Sequence, residues 1–482
     1  MYIPVVYANC ACNVYECVRQ RVGIEVPSPD EETVQQIKRF AAKVARRARK
    51  VKSRTVEQVR ASLSGPDLEK FDKGWADFLR EGLFWRDTRH KMFVKSELGE
   101  LRKREGQADV TNMSCTLVMQ KPRAIFNISD KLSAVGKIVY PPVEHVVLKL
   151  KDSTGKLLPK QRSVMKGLNA VQRARAIRLK WERFTEPCAI SLDGSQCDAH
   201  MRRHLLEMQR DFDLTVNRSS LMKALWNVML KNFTLWGRGL KAEQEPMRLS
   251  GTWDTGGGNS LIHLLIVAFA LQGERYEVAI DGDDVLLVCE RQEHRRLLEK
   301  LHDTARKLSV VFTGEEPVFE FQKIEFTRCQ PIRCGGQWKM VRKPRRALSN
   351  FFGSHTEFAG KYLNAYLKTV ADGERRVFSG VPILSVLYEK VYKDNADEPD
   401  YKGPKISKFH WKGSIDSGPV DDIARDDFHR AFGICAEEQS RIEKQILSTR
   451  WKYKWADPIG PVTEDGRTST CDTRTLMFFS GL

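Results

Sequence analysis

Two acidic stretches of this chain have the residue types that phosphate chemistry uses. The run "YEVAIDGDDVLLVCE" at 276–290 sets Asp281, Gly282, Asp283 and Asp284 between two apolar segments, the pattern of a buried hairpin with an acidic tip. Carboxylates this close repel one another, so folding alone gives no reason to gather them, and a positive group has to sit among them. Upstream, "SLDGSQCD" places Asp193 directly after an apolar strand, with Asp198 further on in the same turn. If that strand pairs beside the hairpin, Asp193 faces the tip and two strand ends offer a cage of oxygens. Hard divalent cations such as Mg²⁺ take that kind of site and keep waters and substrate phosphates in the rest of their shell. Two such ions about 3.5–4 Å apart activate an attacking oxygen and stabilise a leaving one in an in-line phosphoryl displacement. Gly282 supplies backbone angles that a side chain resists.

Between the two acidic stretches lies "SGTWDTGGGNS". Ser250 and Gly251 open it, Thr255 and Gly256-Gly257-Gly258 allow close backbone approach, and Asn259 is expected to begin a helix. Small hydroxyls on such a loop suit a template strand, and Asn259 suits a sugar hydroxyl. The same residues also make an ordinary helix start after a loose turn. Each piece alone is weak; the three in this order are informative.

The elements that must hold these residues are legible in outline. At 482 residues, two or three packed lobes are expected, and 41% hydrophobic residues suffice for a core. With 80 Lys+Arg against 62 Asp+Glu, the formal charge of +18 points to a polyanionic partner. Residues 31–63 read as a basic helical run opening on acids, either a phosphate-facing flank or a solvated helix face. After the strand at "EPCAISLDG", helical spacing marks "HMRRHLLEMQRDFD" and "SSLMKALWNVMLKNFTLW". The glycine-rich loop feeds the apolar helix "LIHLLIVAFALQG", and the acidic hairpin precedes the helix "EHRRLLEKLHDTARKL". A second hairpin is expected to turn at Gly335-Gly336, and the rest is mostly helical. Few strands alternating with helices give an α+β class, with helices against one face of a small sheet. Cys10, Cys12 and Cys17 lack a matching Cys/His pair at zinc-finger spacing and read as reduced thiols. No apolar stretch reaches the ~18–20 residues of a membrane helix, and the first residues lack the layout of a secretory signal.

The set Asp193-x4-Asp198, Ser250-Gly251-x3-Thr255-x3-Asn259 and Gly282-Asp283-Asp284 resembles the palm of positive-strand viral RNA-dependent RNA polymerases. "KPRAI" at 121–125, "VMKGLN" at 164–169 and "EEPVFEFQKIEFTRCQPI" at 315–332 resemble the tombusvirus group in particular, over roughly residues 1–340. The resemblance implies a right hand: fingers and N-terminal region at 1–180, palm at 181–212, a fingers insertion at 213–245, palm again at 246–345, and thumb with tail at 346–482. It implies metal coordination by Asp193 and Asp283 with Asp284 assisting, Mg²⁺ as cofactor and Mn²⁺ able to substitute. Asp198 and Asn259, helped by Ser250 and Thr255, would read the ribose 2′-hydroxyl. Lys95, Lys121 and Arg123 would neutralise the triphosphate, and Gly251, Gly256 and Gly257 would approach RNA. Implied partners are template and product RNA, nucleoside triphosphates, a viral membrane-anchoring replication protein and host factors, with no DNA. The implied location is host cytoplasm, at membrane-bound replication complexes reached through a partner or an upstream region.

Some positions depart from the family pattern. Thr313 and Gly314 stand where relatives often place a basic residue that protonates the leaving pyrophosphate, with Lys307 as a substitute. "EFTRCQ" is longer than the primer-gripping form of the relatives, and Trp253-Asp254 are unusual neighbours in the loop, expected to bias template handling. "STRWKYKWADP" alternates Trp451, Tyr453 and Trp455 with basic residues, as base-stacking surfaces or as core plugs, and "TLMFFSGL" is an apolar end. Two other classes fit some of these features: a non-catalytic basic RNA-binding or packaging protein, and a reverse transcriptase. The polar pair Asp198 and Asn259 argues against the latter because a DNA maker would block the 2′-hydroxyl.

Overall fold

The computed structural model describes residues 5–96, 100–103, 115–118, 122–314, 316–354, 361–401, 418–449, 454–455 and 457–459. Its centre is a four-stranded antiparallel sheet of β1 (Pro187–Gly194), β2 (Glu277–Asp281), β3 (Asp284–Glu290) and β4 (Phe312–Gly314), in spatial order β4-β1-β3-β2. Both faces are buried, which is why β3 reads as the near-continuous apolar run "VLLVC". Ile190, Leu192, Val278, Ile280, Val285 and Leu287 point into the main core, shared with helices Thr255–Ala270 and His294–Lys307. Ala189, Ala279, Leu286 and Val288 point the other way, toward helix Ala170–Trp181 and the hairpin strand Gln337–Arg342. The expectation of helices against one face is thereby corrected. Every residue from Gly257 to Ala268 is buried, as befits a helix that is apolar all round.

The basic run at 31–63 is not one helix. Asp30 caps Glu31–Arg47 by accepting the Thr33 amide at 2.8 Å, but Ala48 is extended and the chain then crosses the core surface. Val51 and Arg54 donate their amides to the Val216 and Ile138 carbonyls before the short helix Val56–Arg60. One face of Glu31–Arg47 is committed to the core through Ile37, Phe40 and Val44.

A second sheet joins Ala124–Asn127, Arg89–Val94, Phe233–Gly237 and Leu240–Gln244 in that spatial order. It overturns the helical reading of "SSLMKALWNVMLKNFTLW": the helix is Ser220–Met229, and Phe233–Gly237 alternates inward Phe233 and Leu235 with outward Trp236. Apolar spacing in the helix runs without a break into the period of two, so the junction is hard to read from pattern alone. Beneath this sheet lie Val14, Cys17 and Val22, and Cys10 caps the helix Ala11–Cys17. Nine of the described cysteines, Cys10, Cys12 and Cys17 among them, are free thiols.

Hairpin Cys329–Cys334/Gln337–Arg342 turns at Gly335 and Gly336, both at positive φ. It bridges to a second core, built by helices Lys361–Val377, Leu384–Asp394, Asp422–Phe432 and Ala436–Ser448 around Leu387, Tyr388 and Phe428. Buried Asp427 ties the two together, accepting the Arg333 amide at 3.0 Å and Gln322 Nε2 at 2.7 Å. No helix among the described residues is long and apolar enough to cross a membrane.

Candidate active site

The register of the central sheet brings the distant carboxylates together. Asp193, near the end of β1, stands directly opposite Asp284, the first residue of β3, while Asp284 also pairs with Asp281 across the hairpin. Gly282 and Asp283 make a two-residue turn in which Gly282 lies at φ 71°, the region open to glycine. The tip is anchored from below by the central helix. Ser260 Oγ accepts the Gly282 amide at 2.8 Å, and His263 Nδ1 meets the Gly282 carbonyl at 2.8 Å. The Asp283 carbonyl accepts the Gly194 amide at 3.0 Å. A Cβ on Gly194 would lie 3.1 Å from the His263 ring, a tight approach that a larger residue could make only if the ring shifted.

Of the carboxylates at the hairpin tip, one is already answered. Arg173 donates to Asp281 at 2.6 Å and to Thr327 Oγ1 at 2.8 Å, which makes Asp281 a fixed part of the scaffold. Asp193, Asp283 and Asp284 line a cavity of about 930 Å³ instead. Burial, then the Asp283 charge, raises the Asp193 carboxyl above its ordinary range, while Arg123, Arg328 and Arg21 oppose the rise. Asp284 is pushed up to about 7, by burial first and then by Asp283, Asp193 and Asp281. Asp198 is also raised, chiefly by burial, although Ser250 Oγ donates to it and favours the charged form.

Asp284 makes stability depend on pH in a definite direction. Its folded carboxyl holds the proton more tightly than an unfolded one at 3.8. The contribution is therefore full below that value and is lost as pH rises through about 7. In chelator, the melting temperature is expected to fall between mildly acid and neutral pH, and Asp284→Asn to flatten that fall. An unchanged profile in the variant would contradict the assignment.

The residues expected at the site are distributed as follows. Ser250, Thr255, Asn259, Lys95 and Arg123 all line the same cavity, and the Lys95 amide donates to the Arg123 carbonyl at 2.7 Å. Asn259 Oδ1 is buried without a hydrogen-bond partner among the described residues. Lys121, "STRWKYKWADP" from Arg450 to Tyr453 and the apolar C-terminus lie outside the described residues. The helix begins at Thr255 and not at Asn259, so Gly256 and Gly257 belong to its first turn. Their close neighbours are the chain's own: a Cβ on Gly256 would meet Lys166 Nζ at 2.6 Å, and one on Gly257 the Tyr140 hydroxyl and Glu144 at 2.9 Å. Gly251, at φ 106°, packs 3.1 Å from the Phe126 carbonyl. None of the three is among the residues that line the cavity, and Gly251 is exposed.

Two other expectations are corrected. Lys307 is exposed at a helix end, paired with Asp303 at 3.0 Å, and does not line the cavity. Trp253 packs beside Gly136, Asp254 is buried in an ion pair with Arg248, and neither is among the residues that line the cavity. The cavity also holds residues that pattern reading did not find: Arg21, Glu325, Thr327 and Arg328. Phe326 and Cys329 exchange backbone hydrogen bonds of 2.9 and 3.0 Å around Thr327-Arg328, which lie at φ 51° and 61°. The lengthened "EFTRCQ" is thus a tight turn with both central residues left-handed, and it presents Arg328 to the carboxylates. A non-glycine pair in that conformation gives a sequence reader no turn signal.

Among the described residues, no group of three or more His, Cys, Asp or Glu could by itself hold a metal ion. Two facing strand-end carboxylates and an adjacent one fit a hard cation that completes its shell with water and phosphate, not one caged wholly by protein.

A cation-seeking carboxylate cluster, at one end of a sheet and ringed by guanidinium groups, is the equipment of phosphoryl transfer. The chain belongs to the viral RNA dependent RNA polymerase family, whose sequence model matches residues 13–454. It is 27% identical to the RNA-directed RNA polymerase of turnip crinkle virus, over 78% of this chain and 48% of that protein. It is 26% identical to that of oat chlorotic stunt virus (isolate United Kingdom), over 89% and 56%, and 26% identical to that of tomato bushy stunt virus (strain Cherry), over 60% and 36%. The chain spans about half the length of the first two of these relatives.

Proposed function

We propose that this chain is the RNA-dependent RNA polymerase part of a positive-strand RNA virus replicase, adding ribonucleotides to the 3′-hydroxyl of a growing RNA. The observation that carries this reading is the pairing of Asp193 with Asp284 in a cavity also lined by Arg21, Lys95, Arg123 and Arg328. In the corresponding right hand, residues 1–180 and 213–245 act as fingers, 181–212 and 246–345 as palm, and 346–482 as thumb and tail.

Asp193, Asp283 and Asp284 offer oxygens to Mg²⁺, or to Mn²⁺ in its place. When bound, such ions neutralise the triphosphate and favour the ionised 3′-hydroxyl. The guanidinium groups grip phosphate oxygens in fixed geometry and hold the α-phosphate in line with the attacking hydroxyl. Asp198, held by Ser250, and Asn259, whose amide oxygen lacks a partner among the described residues, meet the ribose 2′-hydroxyl. Template and product RNA and nucleoside triphosphates are the direct partners. A membrane-anchoring viral protein and host factors place the chain at cytoplasmic replication complexes.

The test is template-dependent incorporation by purified protein with Mg²⁺, comparing ribo- with deoxyribonucleotides. Ribonucleotides are expected to be favoured on the order of a hundredfold or more, because a deoxy sugar leaves buried polar groups unpaired. No incorporation directed by an RNA template would overturn the reading. Arg328→Gly separates strain from chemistry. Relief of the left-handed conformation, less the extra chain entropy of glycine, leaves stability unchanged or raised by up to about 1 kcal/mol. Loss of the cation raises the nucleotide KM. Urea unfolding and steady-state kinetics read the two effects independently.

A further inference from the structure

Two solvent-exposed tryptophans with cations beside their rings lie at the second sheet, Trp236 on its outward face and Trp85 in the short helical turn Trp85–Thr88 that leads into strand Arg89–Val94. Trp85, 57% exposed, has Arg86 and Arg89 each 5.4 Å from its ring centre, and Trp236, 48% exposed, has Lys91 at 5.6 Å. We propose that this face is a platform for single-stranded RNA, with bases stacking on Trp85 and Trp236 and phosphates held by Arg86, Arg89 and Lys91. The proposal rests on the polymerase reading and adds a second place, outside the cavity, where its template is held.

Strand alternation puts Arg89, Lys91 and Trp236 on one surface, and the Trp85 ring, in the turn before the strand, reaches it beside Arg89. His90 and Met92 turn into the core, while Arg89 and Lys91 turn out. Parallel pairing sets Arg89 beside Thr234 and Lys91 beside Trp236, so the two rings flank a short basic ridge. No carboxylate among the described residues answers those three cations. Asp87, the acid closest to them in sequence, is buried and engaged by Lys131 at 3.1 Å and Ser129 at 2.9 Å. Glu243, on the neighbouring strand, is engaged by Lys241 at 3.2 Å. Unanswered cations over exposed aromatic faces match a polyanion whose bases can stack, and aromatic stacking accepts any base. A lipid surface would call for a wider apolar patch than two separated rings.

The face is also continuous with the cavity. The Arg89–Val94 strand runs directly into Lys95, which lines the cavity with Arg123. From Arg89 to Lys95 is about 20 Å of extended chain. A strand lying along this edge has a cationic track from platform to carboxylates.

The experiment measures equilibrium binding of the full chain to an unstructured single-stranded RNA and to a blunt RNA duplex, without nucleotides. The double variant Trp85→Ala/Trp236→Ala is expected to weaken single-strand binding by about tenfold or more and to leave duplex binding within about twofold. Phe at both positions restores most of the affinity. Arg89→Ala/Lys91→Ala lowers the salt dependence of single-strand binding by roughly one to two in log–log slope. Single-strand binding that survives the Ala pair overturns the proposal and leaves the face to a protein partner or a lipid surface. Equal losses on duplex and single strand overturn it as well, since bulk charge would then suffice. Nucleotide addition on a primed template with a minimal overhang is scored separately and should survive the Trp changes. Failure of wild-type protein in that assay sinks the polymerase reading while the binding result still decides the platform.

Discussion

Asp283→Ala is expected to abolish the proposed nucleotide addition, by about three orders of magnitude or more in rate, and to leave the fold at least as stable. The size follows from removing one of the few oxygens available to a cation; several kcal/mol of charge stabilisation go with it, and each ~1.4 kcal/mol is tenfold. The stability side follows from electrostatics. The Asp283 charge is among the causes raising both Asp193 and Asp284, so its removal relieves repulsion in the metal-free protein. Its backbone role is untouched, because the hydrogen bond to the Gly194 amide uses the carbonyl. The proposed RNA binding, assigned to cations elsewhere, is expected to persist. Single-turnover incorporation, a thermal melt and an RNA-binding isotherm on one preparation check all three. Activity equal to wild type would remove the enzymatic reading, whereas lost binding together with lost activity would assign Asp283 a structural role.

The carboxylates were legible because their chemistry and their folding disagree: an acidic tip between apolar strands has no local explanation, and a charge conflict is visible in one dimension. That Asp193 faces the tip was conditional on its strand pairing beside the hairpin, and the register of the sheet supplies that condition. What stayed hidden depends on contacts across long sequence separations. Nothing local distinguishes Asp281 from Asp283, yet Arg173 neutralises one of them and not the other. Arg328 reaches the site through a left-handed turn without glycine or asparagine, and Arg21 through a helical segment far upstream. Glycines mislead for the opposite reason. Gly256 and Gly257 permit a close approach, as their type suggests, but the group that approaches is a side chain of the same molecule. Kinship with polymerases of the tombusvirus type was visible because it resides in spaced motifs, which survive at 27% identity.

Asp254 shows how a residue of the glycine-rich loop acts without touching substrate. Its carboxylate accepts from Arg248, from Gln209 at 3.2 Å and from Thr252 Oγ1 at 2.7 Å, all out of contact with solvent. Gln209 also reaches Asp213 at 3.4 Å, and Trp226 donates to Asp213 at 3.2 Å. Burial, then the Asp254 charge, pushes the Asp213 carboxyl well above the usual carboxylate range. A neutral Asp213 leaves one guanidinium to balance one carboxylate. Asp254→Ala strands Arg248 in the core and is expected to cost about 3–5 kcal/mol, whereas replacing both members by apolar residues of similar size costs much less. Arg248→Met/Asp254→Leu should therefore be more stable than Asp254→Ala, a non-additivity of about 2 kcal/mol or more that urea unfolding resolves. Ser250 and Thr255 flank this knot and line the cavity, so the apolar double variant isolates its second role. If the ion pair fixes the loop, that variant keeps its fold while nucleotide affinity falls. Should affinity survive, the packing of Trp253 against Gly136 is enough to hold the loop in place.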